Sequence, residues 1–376
     1  MEPKPNAIAI SFAKRALVTG SRERERMISY NQVLAQHHLI VLTREAERYP
    51  LRQEEGSLTL YATNSTTKIG MLLRAYHIAQ EIIKSTPETR WVITCQDPFE
   101  TSLVGWLLSF KKNTILHIQV HGDIFSSFFP RLWSLDHVRL LFAQFVLKRA
   151  RSIRVVSNRI KSSLLKKGLT EHNISVLPIQ ANLNQFLAVG SERKFSFNDT
   201  LKLLYVGRFS REKNISMLLH ACALARKSGV RLSLTLLGEG GQKEQLVNEV
   251  AKLELRGMIT FMSWTNDVAT VMGQHDILCL TSDHEGYAMV LLEAMAAGLP
   301  VISTDVGCAG EVVIPETHGF IVPVRDDRAF AEAVGKFYSN PSLLQKLGTQ
   351  AYTASKELTL EPEEYVKKYA ETLPRV

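Results

Sequence analysis

The chain has 376 residues, 45% hydrophobic and 22% charged, with a formal net charge of +8. That length exceeds one ordinary core and suits two domains of about 150 to 200 residues each. No stretch approaches the ~20 uncharged apolar residues that span a bilayer, so no transmembrane helix is expected.

Met1-Glu2-Pro3-Lys4-Pro5 carries no apolar run ending at a small-residue cleavage site, which predicts no secretory signal and a cytoplasmic setting. Short apolar runs then predict strands at Arg15 to Thr19, Leu39 to Thr43, Trp91 to Cys95, Ile115 to Val120, Ile153 to Val156 and Ser175 to Leu177. Amphipathic stretches such as Lys68 to Ser85 and Leu103 to Phe110 separate them as helices. Several runs are continuously apolar, as a parallel sheet covered on both faces requires. A polar stretch from Gly190 to Thr200 interrupts the pattern and sets a domain boundary. The scheme then restarts, with strands at Leu201 to Val206, Leu232 to Leu237, Ile259 to Met262, Ile277 to Leu280, Val301 to Ser303 and Gly319 to Val322. Helices are predicted at Ile215 to Ser228, Gln242 to Leu255 and Val290 to Ala297. The reading is two doubly wound α/β domains, 1–189 and 190–358. A last segment, 359–376, contains a helix from Glu361 to Leu373 with Pro362 in its first turn, expected to cross back to the first domain.

Charge is placed unevenly. Residues 1–190 hold 25 Lys and Arg against 14 Asp and Glu, or +11, and the remainder is −3. A basic first half suits an anionic partner such as phospholipid, a lipid-linked phosphate or nucleic acid. Phe125 to Arg159 sets Phe128, Phe129, Trp133, Leu140, Leu141, Phe142 and Phe145 among Arg131, Arg139, Lys148, Arg149 and Arg151. An interfacial membrane helix and a buried helix with a basic outer face read alike here, so an anionic membrane surface is an expected contact and not the only reading. Cys95, Cys222, Cys279 and Cys308 form no C-x-x-C pair, which predicts reduced core thiols and neither a zinc site nor a disulfide.

The densest chemical signal runs from Glu285 through Gly286, Tyr287, Ala288, Met289, Val290 and Glu293 to Gly298-Leu299-Pro300-Val301. It follows a predicted strand and opens a helix, so its loop lies at the carboxyl edge of a sheet, where open α/β folds bind ligands. Amides opening that helix suit phosphate or sugar oxygens. Glu293 lies among Leu291, Leu292, Ala294 and Met295, where a charge without a polar partner is costly. Gly207-Arg208 to Lys213-Asn214 follows an earlier strand, and two cations on such a loop suit a diphosphate. Gly238-Glu239-Gly240 is a tight turn after the next strand. Trp264 follows another, where a packing role is an open reading. His121 and Asp123 end the strand Ile115 to Val120, a place where a lone histidine is more often structural.

In these residues the chain resembles the family 4 retaining glycosyltransferases, whose signature is two glutamates with seven residues between them, followed by Ala-Met-Ala-x-Gly-x-Pro-Val. The resemblance is dense from about residue 200 to 340. It implies a GT-B fold, two Rossmann-like domains facing a deep cleft. It implies that Glu285 lies against the transferred sugar and that Glu293 bonds the donor ribose. Gly286, Tyr287, Ala288, Met289 and Val290 then line the donor, with Gly207, Gly238 and Trp264. Arg208 and Lys213 take the leaving diphosphate in place of a metal, so neither metal nor cofactor is expected. His121, Asp123 and Gly20 fall on the acceptor side, with Gly20 standing in for the family's Gly-Gly loop. The implied reaction moves a sugar from a nucleotide diphosphate, UDP before GDP-mannose, to a glycan or lipid-linked hydroxyl in cell-surface polysaccharide or glycolipid synthesis. Such a protein would be cytoplasmic or peripheral on the inner face of a membrane. A GT-B epimerase and a non-catalytic polyanion-binding protein are the alternatives, and no specific nucleic acid is expected.

Overall fold

The computed structural model describes residues 4–129 and 134–374, with side chains from 136 onward in the second stretch. By contacts the chain divides into two units. The first comprises Met1–Phe125, Pro130–Pro178 and Glu361–Val376; the second comprises Ser126–Phe129 and Ile179–Leu360.

The first unit is built on eight strands: β1 (Asn6–Ser11), β2 (Gln36–Val41), β3 (Arg52–Glu55), β4 (Leu58–Ala62), β5 (Trp91–Cys95), β6 (Thr114–Val120), β7 (Ser152–Val155) and β8 (Ile174–Val176). Their order is β3-β4-β2-β1-β5-β6-β7-β8. All pairs are parallel except β3 with β4. The central strands are buried along their length because helices cover both faces.

One expectation fails here. Arg15 to Thr19 is not a strand: Lys14–Leu17 forms a 3-10 turn, the Arg15 side chain is exposed beside Glu23, and the first strand is β1. Ala7, Ile8, Ala9 and Ile10 fit the centre of the sheet, where a strand is enclosed on both faces. The hairpin β3–β4 was not foreseen, since β3 reads Arg-Gln-Glu-Glu, a charged edge strand with no apolar alternation.

The second unit carries β9 (Leu201–Val206), β10 (Leu232–Leu237), β11 (Ile259–Met262), β12 (Ile277–Leu280), β13 (Val301–Thr304) and β14 (Gly319–Val322). All are parallel, in the order β11-β10-β9-β12-β13-β14. Its core packs Leu203, Tyr205, Phe209, Leu218, Phe330 and Phe337. The units divide after Pro178, not at Gly190. The helix Asn184–Ser191 is a member of the second unit: a side chain on Gly190 would strike the Ala296 carbonyl and the Tyr352 ring. The helix Pro362–Thr372 packs in the first unit through Tyr365, Val366 and Tyr369.

All four cysteines are buried and free. Among the described residues no helix is long and apolar enough to cross a membrane.

Candidate functional site

In a parallel sheet every loop that leaves a strand's carboxyl end emerges along one edge. In the second unit these loops follow β9, β10, β11, β12 and β13. The chain builds outward from β9 in one direction, through β10 and β11, then starts again on its other side with β12. Between β9 and β12 the order reverses, and in such sheets ligands usually bind in the crevice outside the carboxyl ends of the strands at that point. This topology makes neighbours of residues 72 positions apart. Lys213, after β9, places its Nζ 2.5 Å from Glu285 Oε1, after β12. Their side chains are only 18% and 12% exposed, so little water screens the pair.

Neighbouring groups fix both partners. The Ser282 hydroxyl donates to Glu285 Oε1 at 2.7 Å, and the Thr281 hydroxyl donates to the Lys213 carbonyl at 3.2 Å. Asp283 accepts from Asn214 at 2.9 Å and from Arg325 at 2.6 Å, and its amide donates to the Glu212 carbonyl. Asn214 itself has a left-handed backbone and caps the helix Ile215–Lys227. The β9 and β12 loops are thus laced together immediately behind the ion pair.

Arg208 lies on the same loop but does not meet Glu285. Its side chain is 79% exposed, and Nη2 lies 3.4 Å from Glu212. Burial opposes ionisation of Glu212, but the Ser210 hydroxyl, Arg208 and Lys213 outweigh it and hold the carboxyl below its usual range. Gly207 and Gly238 bring the β9 and β10 loops into contact. At Gly238, with φ 149°, a Cβ would lie 1.9 Å from the Gly207 carbonyl oxygen. Glycine there serves loop packing.

The loop after β12 enters the helix Met289–Ala296 through Ala288, whose φ of 63° is left-handed. A residue with a Cβ takes that conformation at a cost on the order of 1 kcal/mol. A second loop, missed in the sequence, secures it. Gly307 packs against Glu285 and Tyr287, where a Cβ would meet the Tyr287 carbonyl at 3.1 Å, and the Cys308 amide donates to that carbonyl. The signal was present as Gly307-Cys308-Ala309-Gly310 immediately after a strand. Gly286, Met289 and Val290 are half-buried around this turn, and Tyr287 is buried. Glu293 is half-buried, one turn into the helix Met289–Ala296. Trp264, after β11, is 58% exposed and lies two strands from the crevice.

The remaining expected residues belong to the first unit. His121 follows β6 and is half-buried. Crowding by protein atoms, and then Arg154 and Arg26, lower its pKa to about 3, so the imidazole is neutral at any ordinary pH. Asp123 accepts from the Ser163 hydroxyl at 2.7 Å. Gly20 is exposed at the far end of the β1 loop, just before Ser21 caps the helix Arg22–Ser29. In this sheet the order reverses between β1 and β5. There the Ser11 hydroxyl bonds Gln96, a pair not foreseen because β1 itself was misplaced.

Residues 191–354 match the sequence pattern of the glycosyl transferases group 1. Over 154 residues the chain is 29% identical to the lipopolysaccharide core biosynthesis glycosyltransferase LpsE of Rhizobium meliloti, covering 41% of this chain and 44% of that one. The chain spans about two-fifths of the length of the first curated relatives it matches. In fold it is similar to sucrose-phosphate synthase from Thermosynechococcus elongatus, with a TM-score of 0.78 at 20% identity over 97% of this chain and 98% of that one. It is also similar to Anabaena HepE in complex with UDP and glucose, with a TM-score of 0.72 at 16% identity over 98% and 99%. The fold is GT-B.

Proposed function

We propose that this chain, whose residues 191–354 match the glycosyl transferases group 1, passes a hexose from a nucleotide diphosphate sugar to a hydroxyl with retention of anomeric configuration. The observation that carries this reading is the Lys213–Glu285 pair at the point where the second sheet reverses its strand order. In one crevice it supplies a cation for a diphosphate and a carboxylate for sugar hydroxyls.

The donor diphosphate lies against Lys213, with Arg208 swinging from its exposed position to meet it, and Glu293 bonds the ribose. Amides opening the helix Met289–Ala296 receive sugar oxygens. The acceptor hydroxyl attacks the anomeric carbon on the face that the diphosphate leaves. As the new C–O bond forms, the old one breaks with its electron pair on the phosphate oxygen, which takes the hydroxyl proton. The products are a glycoside and a nucleoside diphosphate. Lys213 and Arg208 offset the charge growing on the leaving oxygen, so this scheme calls on no metal. UDP is favoured over GDP because a protein of similar fold binds UDP and glucose. A glycan or lipid-linked acceptor of surface polysaccharide synthesis follows from the kinship with LpsE.

The test is incubation with UDP-glucose, UDP-galactose, UDP-N-acetylglucosamine and GDP-mannose in the presence of EDTA, with product mass and anomeric coupling read by spectrometry and NMR. Release of nucleoside diphosphate with an inverted product, or no transfer from any donor, defeats the proposal. Lys213→Ala should lower kcat about 100- to 1,000-fold. Its unfolding temperature should move by about 4 °C or less. An unchanged rate at saturating donor removes the role given to Lys213.

A further inference from the structure

The first unit carries an apolar patch that its own fold leaves uncovered. On the helix Ser134–Leu147, Val138, Leu141 and Phe145 fall three and four residues apart, on one stripe, and all three are exposed, Leu141 by 68%. Beside it ends the helix Glu100–Leu108, where Leu107 is exposed and Phe110, just beyond, is 71% exposed. Trp106 joins the two: its ring meets Phe110, Phe142 and Phe145 edge-on, at centroid distances of 5.4, 6.4 and 5.4 Å. The result is one aromatic face drawn from two helices.

Its rim is cationic. Lys112, Lys148, Arg149 and Arg151 are all exposed. The Arg149 guanidinium lies over the Phe145 ring, 3.5 Å from its centroid, and donates to the Phe145 carbonyl, so a charge is held level with the apolar surface. The two nearby carboxylates, Glu100 and Asp136, are both occupied by Arg139, at 2.9 and 3.7 Å. From Trp106 to Lys167 the sequence holds twelve Lys and Arg against two carboxylates, Asp123 and Asp136. Phe128 and Phe129 are not part of this face, since Arg325 lies over the first ring and His284 meets the second. Arg131 and Trp133 lie outside the described residues.

We propose that this face docks on an anionic phospholipid surface, with the aromatic rings and Leu141 entering the headgroup region and the four cations meeting lipid phosphates. The arrangement is that of an interfacial helix: an apolar stripe, flanking cations and rings at the boundary between them. The same charges argue against a second copy of this chain as occupant. Two copies meeting face to face would press Lys112, Lys148 and Arg149 against their own images with no carboxylate free to intervene.

The proposal goes beyond the transfer reaction and is read without any donor. The protein is sedimented with vesicles of phosphatidylcholine alone and of equimolar phosphatidylcholine and phosphatidylglycerol, at low and high salt. We expect binding to the anionic vesicles that salt weakens. The pair Phe110→Ser and Leu141→Glu, and separately Lys148→Gln with Arg149→Gln, should each lower partition roughly tenfold or more. Leu73→Glu, on an exposed apolar residue of the helix Lys68–Ser85, should change nothing. All these side chains lie at the surface, so the unfolding temperatures should stay together. Equal recovery with neutral and anionic vesicles overturns the proposal, and so does a Phe110/Leu141 double variant that sediments like the parent. A dimer in solution that the double variant abolishes would assign the face to a second copy and also overturn it. Transfer from soluble donor to soluble acceptor, assayed without vesicles, is read separately and is unaffected by either result.

Discussion

Both sheets fan out from a founding strand, β1 in one unit and β9 in the other, yet the faces beneath them are lined differently. Under the second sheet the layer is apolar, Leu203, Tyr205 and Leu234 against Leu218, Phe330 and Phe337, and polar groups gather at the loop edge. Under the first sheet a polar row crosses three adjacent strands. His117 shares a hydrogen bond with Thr94, Gln119 donates to Thr94, and Arg154 donates to Gln119, all of them buried. Apolar helices suffice to cover the first kind of surface. The second needs a cover that brings hydroxyls, because a buried polar group without a partner costs on the order of 1 to 3 kcal/mol. The helix Pro362–Thr372 brings them. Tyr365 accepts from Arg154 at 2.6 Å and donates to the Pro178 carbonyl, and the Tyr369 ring stacks on Tyr30 at 4.1 Å. The return of the chain's end to the first unit is thus a matter of polar satisfaction as much as of apolar burial.

The most forceful way to break this contrast is to remove Arg154. Besides Gln119 and Tyr365 it donates to the carbonyls of Leu177 and Pro178, so Arg154→Leu removes four hydrogen bonds at once. We expect a loss of about 3 kcal/mol in denaturant unfolding, and about 1 kcal/mol for Tyr365→Phe, which removes a single hydroxyl. The helix Pro362–Thr372 should become sensitive to protease in the Arg154 variant before any segment of the second unit. A loss below about 1 kcal/mol would mean that apolar contacts alone hold this helix and that the two units are covered in the same way.

Acid sharpens the same contrast by a smaller amount. In the first unit burial, ahead of any charge, lowers His37 to about 4 and His117 to about 3. His38 is likewise lowered to about 4, by burial and then by Arg52. The unfolded chain binds these protons near pH 6.5, while the folded unit refuses them until pH 3 to 4. The stabilisation is therefore complete above pH 6.5 and declines as pH falls towards 4. At pH 5 each fully buried histidine costs about 2 kcal/mol at most. Asp97 acts in the opposite sense: burial raises its carboxyl pKa, so its protonation softens the decline. In the second unit burial lowers His275 and raises Asp276, neighbours whose effects on acid stability are opposite in sign. Amide exchange at pH 7.5 and pH 5, corrected for intrinsic rates, should show β5 and β6 losing protection before β9 and β12. Equal loss in both sheets would dissolve the distinction.

The contrast also explains what could be read from the chain alone. Strands β9 to β12 and β14 are legible to the residue, and Lys213 and Glu285, which the structure pairs, are both marked in the sequence because each lies in a short loop motif directly after a strand. The first unit hid more. Arg154 and Tyr365 are 211 positions apart, and neither carries a local pattern. β3 is four polar residues, and β1 begins beside a second apolar run, Arg15 to Thr19, whose composition suits a strand equally well. Only closure of the sheet decides between them. The exposed direction of Arg208 was likewise invisible, since a motif gives a residue's place on a loop and not its rotamer.

Trp264 offers the finest distinction. Buried Trp91, in β5, is a packing residue of the first sheet, and truncating it to alanine should cost about 3 to 5 kcal/mol. Trp264 has the same side chain on a loop edge with more than half its surface in solvent. If it serves the nucleotide base, Trp264→Ala leaves stability within about 0.5 kcal/mol of the parent and weakens UDP by about 1 kcal/mol, or fivefold. Glucose 1-phosphate, which has no base to stack, should bind equally to both proteins. If the ring is instead a packing element of the loop after β11, the outcome reverses: the unfolding midpoint drops, and UDP and glucose 1-phosphate weaken together. Calorimetric titration of both ligands against the parent and the variant separates the two results, because a stacking contact acts on the base alone and a collapsed loop does not discriminate.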